Sequence, residues 1–202
     1  MIVFSSVAAP VRRWLLALPL AAAAACSSGG GTGNDSEATA TAQNEQKIKE
    51  ADVTEKQEAD ARFMVQAAGN ALLSVELGKL VQARAALPAL RTYGARLVQD
   101  HLALLEDLRA LAQTKSLALP PALSEDAQAA YHDASTQTGT RLDKQAVELI
   151  LKIQRQDEDA FDDMKDDAYD GDIRGFAAKH YNSVKEQLDA AKKVAGAVDS
   201  QP

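Results

Sequence analysis

Two ionisable side chains interrupt faces that otherwise read as helix core, and they are the residues of this sequence best suited to hold a metal ion or to move a proton. His101, in "LVQDHLALL", has Leu97 and Val98 one turn before it and Leu104 and Leu105 one turn after it, so it points inward. Glu76 sits between Leu72 and Leu73 on one side and Leu80 on the other, and a carboxylate on an apolar face needs a partner. If the chain folds over near residue 87, Glu76 lies eleven positions before the turn and His101 fourteen after it. At the rise of an α-helix the two are offset by about 4–5 Å, close enough to meet. The same folding about residue 170 brings Gln154 level with Gln187, sixteen positions before and seventeen after. Val147, Ile150 and Leu151 flank the first glutamine and Val184, Ala190 and Ala191 the second. A polar layer of Glu76, His101, Gln154 and Gln187 is therefore expected in the middle of an apolar core.

One carboxylate, one imidazole and two neutral amides make a poor shell for zinc or iron. The preferred reading is a hydrogen-bonded network in which His101 donates to Glu76 and the amides satisfy what remains. A metal site on Glu76 and His101 and a small-ligand pocket are the alternatives. Elsewhere "DEDAFDDMKDDAYDGD", from Asp157 to Asp172, concentrates acidic residues, but Ala168 and Ala177 stand where a calcium loop needs ligands; a solvated charged face is expected. His180, near Phe176 and Tyr181 and within reach of Phe161, reads as a half-buried core histidine, and His132 in "AAYHDAS" as exposed. Cys26 is the only cysteine, and no serine sits beside a histidine in a nucleophile elbow. No catalytic residue is assigned and no enzyme is expected.

The elements that must position these residues are helices. From about Lys47 to Val198 the chain is rich in Ala, Leu, Glu, Gln, Lys and Asp, with no period-two segment that would make a strand. Breaks at Ala86-Leu-Pro88, Leu119-Pro-Pro-Ala122, Thr138-Gly139 and Asp170-Gly171-Asp172 predict helices over 48–86, 88–115, 124–137, 139–169 and 172–197. Pro88 suits a first helical turn, and Ser124 with Glu125 and Asp126 suits a cap. Long helices joined by short turns run antiparallel, so the expected fold is all-α: an antiparallel four-helix bundle with a short extra helix in the middle connection.

The stretch from Ala59 to Val194, above all "VELGKLVQARAALPALRTYGARLVQDH", "LALPPAL" and "RLDKQAVELILKIQRQ", resembles an uncharacterised ferritin-like bacterial family, domain of unknown function 4142. The resemblance implies an inward Glu at Glu76, an Asp-His pair at Asp100-His101, and a histidine on each of the last two long helices. Gln154 and Gln187 occupy those two positions here. The family's Phe-Asp pair corresponds to Leu142-Asp143. By the same comparison any metal function at Glu76 and His101 is vestigial, because two of three imidazoles are replaced. The Glu-x-x-His signature of di-iron bundles is missing, since Val98 stands three residues before His101.

Arg12 and Arg13 precede "WLLALPLAAAAA", an apolar run too short to span a bilayer as a mature helix. Residues 1–25 read as an export signal. "AAAAAC" resembles a bacterial lipobox with Ala23 in place of the usual Leu, making Cys26 the expected lipid-anchor residue. Residues 26–46, with "SSGGGTGNDSEATATA" directly after Cys26, read as a flexible tether, 47–198 as the bundle and 199–202 as a tail. Ser27 after the cysteine resembles the pattern of outer-membrane lipoproteins. Losing Arg12 and Arg13 and no acid takes the formal net charge from −7 to −9, and acidity without a basic stripe argues against nucleic acid. The expectation is a cell-envelope lipoprotein facing the periplasm, a binding or structural module held to the membrane through Cys26, with no cofactor. A metal-binding or redox protein using Glu76 and His101 is the alternative. A third is an adaptor for another envelope protein, docking through a stripe at Ala83, Leu87 and Leu90.

Overall fold

Proline, glycine and capping residues end the helices close to where they punctuate the sequence. In the computed structural model, which describes residues 35–50 and 55–201, the helices are α1 (Ser36–Glu50), α2 (Glu55–Arg84), α3 (Pro88–Lys115), α4 (Glu125–Ser135), α5 (Gly139–Asp167) and α6 (Gly171–Asp199). No strand occurs among the described residues. Pro88 opens α3. Ser124 caps α4, its Oγ accepting from the Ala127 amide at 3.2 Å. Asp170 caps α6, accepting from the amides of Asp172 and Ile173 at 2.8 and 3.2 Å. Each cap satisfies amides that the first helical turn leaves without partners.

α2 packs along α3, and α5 along α6, as two hairpins; α2 also packs on α5 and α3 on α6, which closes a helical bundle. Two glycines set how closely the first hairpin packs. A Cβ on Gly78 would stand 2.9 Å from the Gly94 carbonyl oxygen, and one on Gly94 would stand 2.7 Å from that of Gly78. The backbones therefore meet with no room for any side chain, and Gly78 must face α3.

The core lies in two apolar halves. Phe63, Met64, Leu104, Leu108, Phe161 and Phe176 fill one, where Phe63 and Phe161 meet edge to face with centroids 5.0 Å apart. Leu77, Leu90, Leu97, Leu142 and Ile150 fill the other. Burying one such side chain is worth about 1.5–3 kcal/mol, against about 0–1 kcal/mol for an exposed ion pair, so the apolar halves hold the bundle together.

Each hairpin turn is closed by a buried aspartate of the other hairpin. Asp143, near the start of α5, accepts from the amides of Ala86 and Leu87 in the α2–α3 turn at 2.9 and 2.8 Å. Asp60, near the start of α2, accepts from the amides of Tyr169 and Asp170 in the α5–α6 turn at 3.1 and 2.7 Å.

α1 corrects the expected tether. Residues 36–46, assigned to a flexible linker, begin a helix that lies on α2 with Ala40, Asn44 and Ile48 buried. Asn44 fixes it to the connector between α3 and α4: its Nδ2 donates to the Ala118 carbonyl at 2.9 Å and its Oδ1 accepts from the Ala118 amide at 2.7 Å. The Ser36 hydroxyl donates to the Ala122 carbonyl at 2.6 Å. Alanine and asparagine supply two of the three buried positions of α1, so the sequence shows no apolar stripe there. The export signal, Cys26 and the first part of the tether lie outside the described residues. No helix among the described residues is long and apolar enough to cross a membrane.

Candidate functional site

A polar layer separates the two apolar halves of the core, but its membership differs from the one expected. His101, 1 % exposed, lies on α3 between Leu97 and Leu104. Its Nδ1 is 3.0 Å from the Leu97 carbonyl oxygen. A carbonyl only accepts, so Nδ1 carries the proton and Nε2 is the acceptor. Gln154 of α5, fully buried, donates its Nε2 to that nitrogen at 3.3 Å. Both ring nitrogens are committed inside the protein. Burial pushes the imidazole down to about 4, partly offset by the Leu97 carbonyl and by Asp100, so the ring is neutral at physiological pH.

Glu76 is not part of this layer. Its side chain is 38 % exposed and its Oε1 accepts from Lys79 Nζ at 2.7 Å. The reason lies in α2, which carries apolar residues nearly all round, so its leucines could not say which way it faces. Gly78 decides it. With Gly78 turned to α3, Glu76 two positions earlier stands about 200° round the helix from that contact. Asp100, beside His101, accepts from Arg96 Nε at 3.2 Å at the surface.

Ser74, fully buried on α2, joins in place of Glu76. The Asp143 and Asp60 contacts show α2 and α5 running antiparallel in a register that sets Ser74 level with Gln154. Gln187 of α6 is buried and donates weakly to Ser183 Oγ at 3.4 Å. Among the described residues, the Ser74 hydroxyl and the Oε1 atoms of Gln154 and Gln187 are buried without partners. The sequence thus placed His101, Gln154 and Gln187 correctly in the core and missed Ser74, whose hydroxyl gives no periodic signal among alanines and leucines.

One turn from Gln154 lies a second polar residue the sequence misassigned. Asp157, expected on a solvated acidic face, is 2 % exposed and bonded by Asn70 Nδ2 at 2.7 Å. Burial pushes its carboxyl up to about 7, against the opposing effect of Asn70. Most of the acidic run does face outward: Asp159, Asp162, Asp163, Asp166, Asp167 and Asp172 are exposed, while Glu158 and Asp170 are half-buried. The correction has a simple cause, since Asp157 continues the buried spacing of Ile150, Ile153 and Gln154.

The remaining histidines lie where the sequence put them. His180 is half-buried with its ring 4.6 Å from that of Phe176 and its Nε2 3.0 Å from Asp107, and burial lowers its pKa. His132 is exposed. The stripe suggested for an adaptor is not a surface, because Leu90 is fully buried and Leu87 packs against the core.

The donor set does not fit a divalent transition metal. The imidazole has no free nitrogen, the two amides are neutral, and the carboxylate faces elsewhere. Among the described residues no three His, Cys, Asp or Glu side chains converge as ligands. What the layer can do is tie α3 to α5 through the hydrogen bond between Gln154 and His101.

A family model described as Domain of unknown function (DUF4142) matches residues 38–194. The match begins inside α1 and ends inside α6, so the matched unit includes the helix that composition had left to the tether. No curated protein and no solved structure matches the chain.

Proposed function

The chain belongs to the family of the Domain of unknown function (DUF4142), and from that premise we propose that it is an exported lipoprotein, anchored through Cys26 to the outer membrane and facing the periplasm, whose ferritin-like four-helix bundle of α2, α3, α5 and α6 is a binding or structural module and not an enzyme. The observation that carries the reading is His101. In a bundle with a working centre its ring would present a nitrogen to a ligand; here Leu97 and Gln154 occupy both. The leader, the cysteine after "AAAAA" and the Gly- and Ser-rich residues behind it support export and tethering.

Metal content tests the first half of this reading. The full chain, equilibrated with Fe, Zn, Mn and Cu and then desalted, is expected to hold less than about a tenth of an equivalent of any of them. A stoichiometric metal lost in His101→Ala would overturn it. Labelling with a radioactive fatty acid in a bacterial host tests the second half: label is expected on the wild type and not on Cys26→Ser, and an unlabelled, freely soluble wild type would refute the anchor.

A further inference from the structure

On the outer face of the first hairpin, α2 and α3 and the connector leading into α4 enclose a groove of about 490 Å³. Its walls are apolar: Leu72, Val75, Leu102, Leu105, Leu123 and Tyr131. Leu102 is 48 % exposed there, one of two large apolar side chains on the described surface so open to solvent. The roof is built in advance of any ligand. Ser36 of α1 holds the Ala122 carbonyl, Asn44 holds Ala118 from both sides, and Gln128 Nε2 donates to the Leu123 carbonyl at 2.9 Å. A volume of this size, walled mainly by apolar groups and edged by a few polar ones, has the anatomy of a small-molecule site.

The charges at its edge select the ligand. Glu76 and Lys79 neutralise each other at 2.7 Å. Arg109, the third charged residue lining the groove, is exposed, and no carboxylate among the described residues pairs with it. An apolar trough with one uncompensated guanidinium suits an apolar chain bearing a single negative head. The planar fork of arginine matches a carboxylate with two parallel hydrogen bonds, and a singly charged head balances the one unpaired cation.

We propose that this groove binds a carboxylate-headed amphiphile of the fatty-acid class, its hydrocarbon chain against Leu102 and Leu105 and its carboxylate on Arg109. This deepens the binding-module reading and rests on it; it is independent of the anchor at Cys26 and of the metal content of the core.

Laurate is the probe. The full chain, made in the cytoplasm so that Cys26 stays unmodified, is titrated with laurate below its micelle-forming concentration in a calorimeter. Saturable binding of one laurate is expected, weakened roughly tenfold in Arg109→Gln by loss of the charged hydrogen bonds and at least as much in Leu102→Asp. Dodecylammonium, with the same chain and the opposite charge, is expected to bind roughly tenfold or more less tightly than laurate. Both substituted side chains are exposed, so helix content by circular dichroism is expected to match the wild type and to separate loss of the site from loss of the fold. Absence of laurate binding, binding that survives both substitutions, or equal binding of the two amphiphiles would each overturn the proposal. Chain insertion against the apolar leader would show itself as the second of these.

Discussion

His101 and Asp157 are buried a turn apart in the same core and respond to pH in opposite senses. The imidazole is held down near 4, below its unfolded value of about 6.5, so the stability it contributes is present above about 6.5 and is lost as pH falls towards 4. The carboxyl is held up near 7, above its unfolded value of about 3.9, so its contribution is complete below about 4 and is lost as pH rises through 7. Over the shared window the two slopes oppose each other. Asp157→Asn is expected to leave a stability that rises with pH between about 4 and 6.5, and His101→Gln one that falls between about 4 and 7. Urea midpoints across that range read the slopes, and equal slopes in the two variants would contradict the assignment. At Gln187, where Oε1 is buried without a donor, replacement by Met is expected to be neutral or to stabilise by about 1 kcal/mol. A loss above about 2 kcal/mol in denaturant unfolding would show that Oε1 has a partner after all.

At the scale of the helices, the approach of Gly78 to Gly94 fixes how α2 and α3 meet. Gly94→Ala has no room for its methyl group and is expected to cost about 1–3 kcal/mol, whereas Gly196→Ala on α6, where an added Cβ meets nothing, is expected to stabilise by about 0.5–1 kcal/mol. Thermal unfolding of the two variants side by side checks the contrast. The same contact explains what could and could not be read beforehand. Pro88, Ser124, Thr138-Gly139 and Asp170-Gly171 are local signals, and they placed five helices to within a few residues, apart from the start of α2, because capping and proline geometry act within one turn. Helix rotation is not local. On α5, with a polar outer face, the inward direction was legible and Gln154 was found; on α2, apolar nearly all round, it was not, and Glu76 was assigned to the wrong side. α1 failed for the opposite reason, since Ala40 and Asn44 carry too little apolar area to mark a face, and what holds it is the pairing of Asn44 with a backbone 74 residues away.

At the scale of the whole molecule, sequence pattern sufficed for an all-helical bundle because short turns between long helices leave few ways to bury their faces. It did not reach the roles of Asp60 and Asp143, which lie just past the first turns of α2 and α5 and look like ordinary helix carboxylates until the opposite hairpin supplies their donors. Removing either, as Asp60→Ala or Asp143→Ala, is expected to cost roughly 2–4 kcal/mol in urea unfolding by leaving two turn amides without acceptors. Aspartates on the exposed acidic face, such as Asp163, are expected to shift stability by less than about 0.5 kcal/mol. The reciprocity has a consequence for assembly. Neither hairpin can finish its own turn, so a chain cut in the connector between α3 and α4 should yield halves that are poorly ordered apart and recover helix content when mixed. It also makes the pairing self-checking. A slipped register would strand two buried carboxylates without donors, a penalty of several kcal/mol, and the arrangement that seats one of them seats the other.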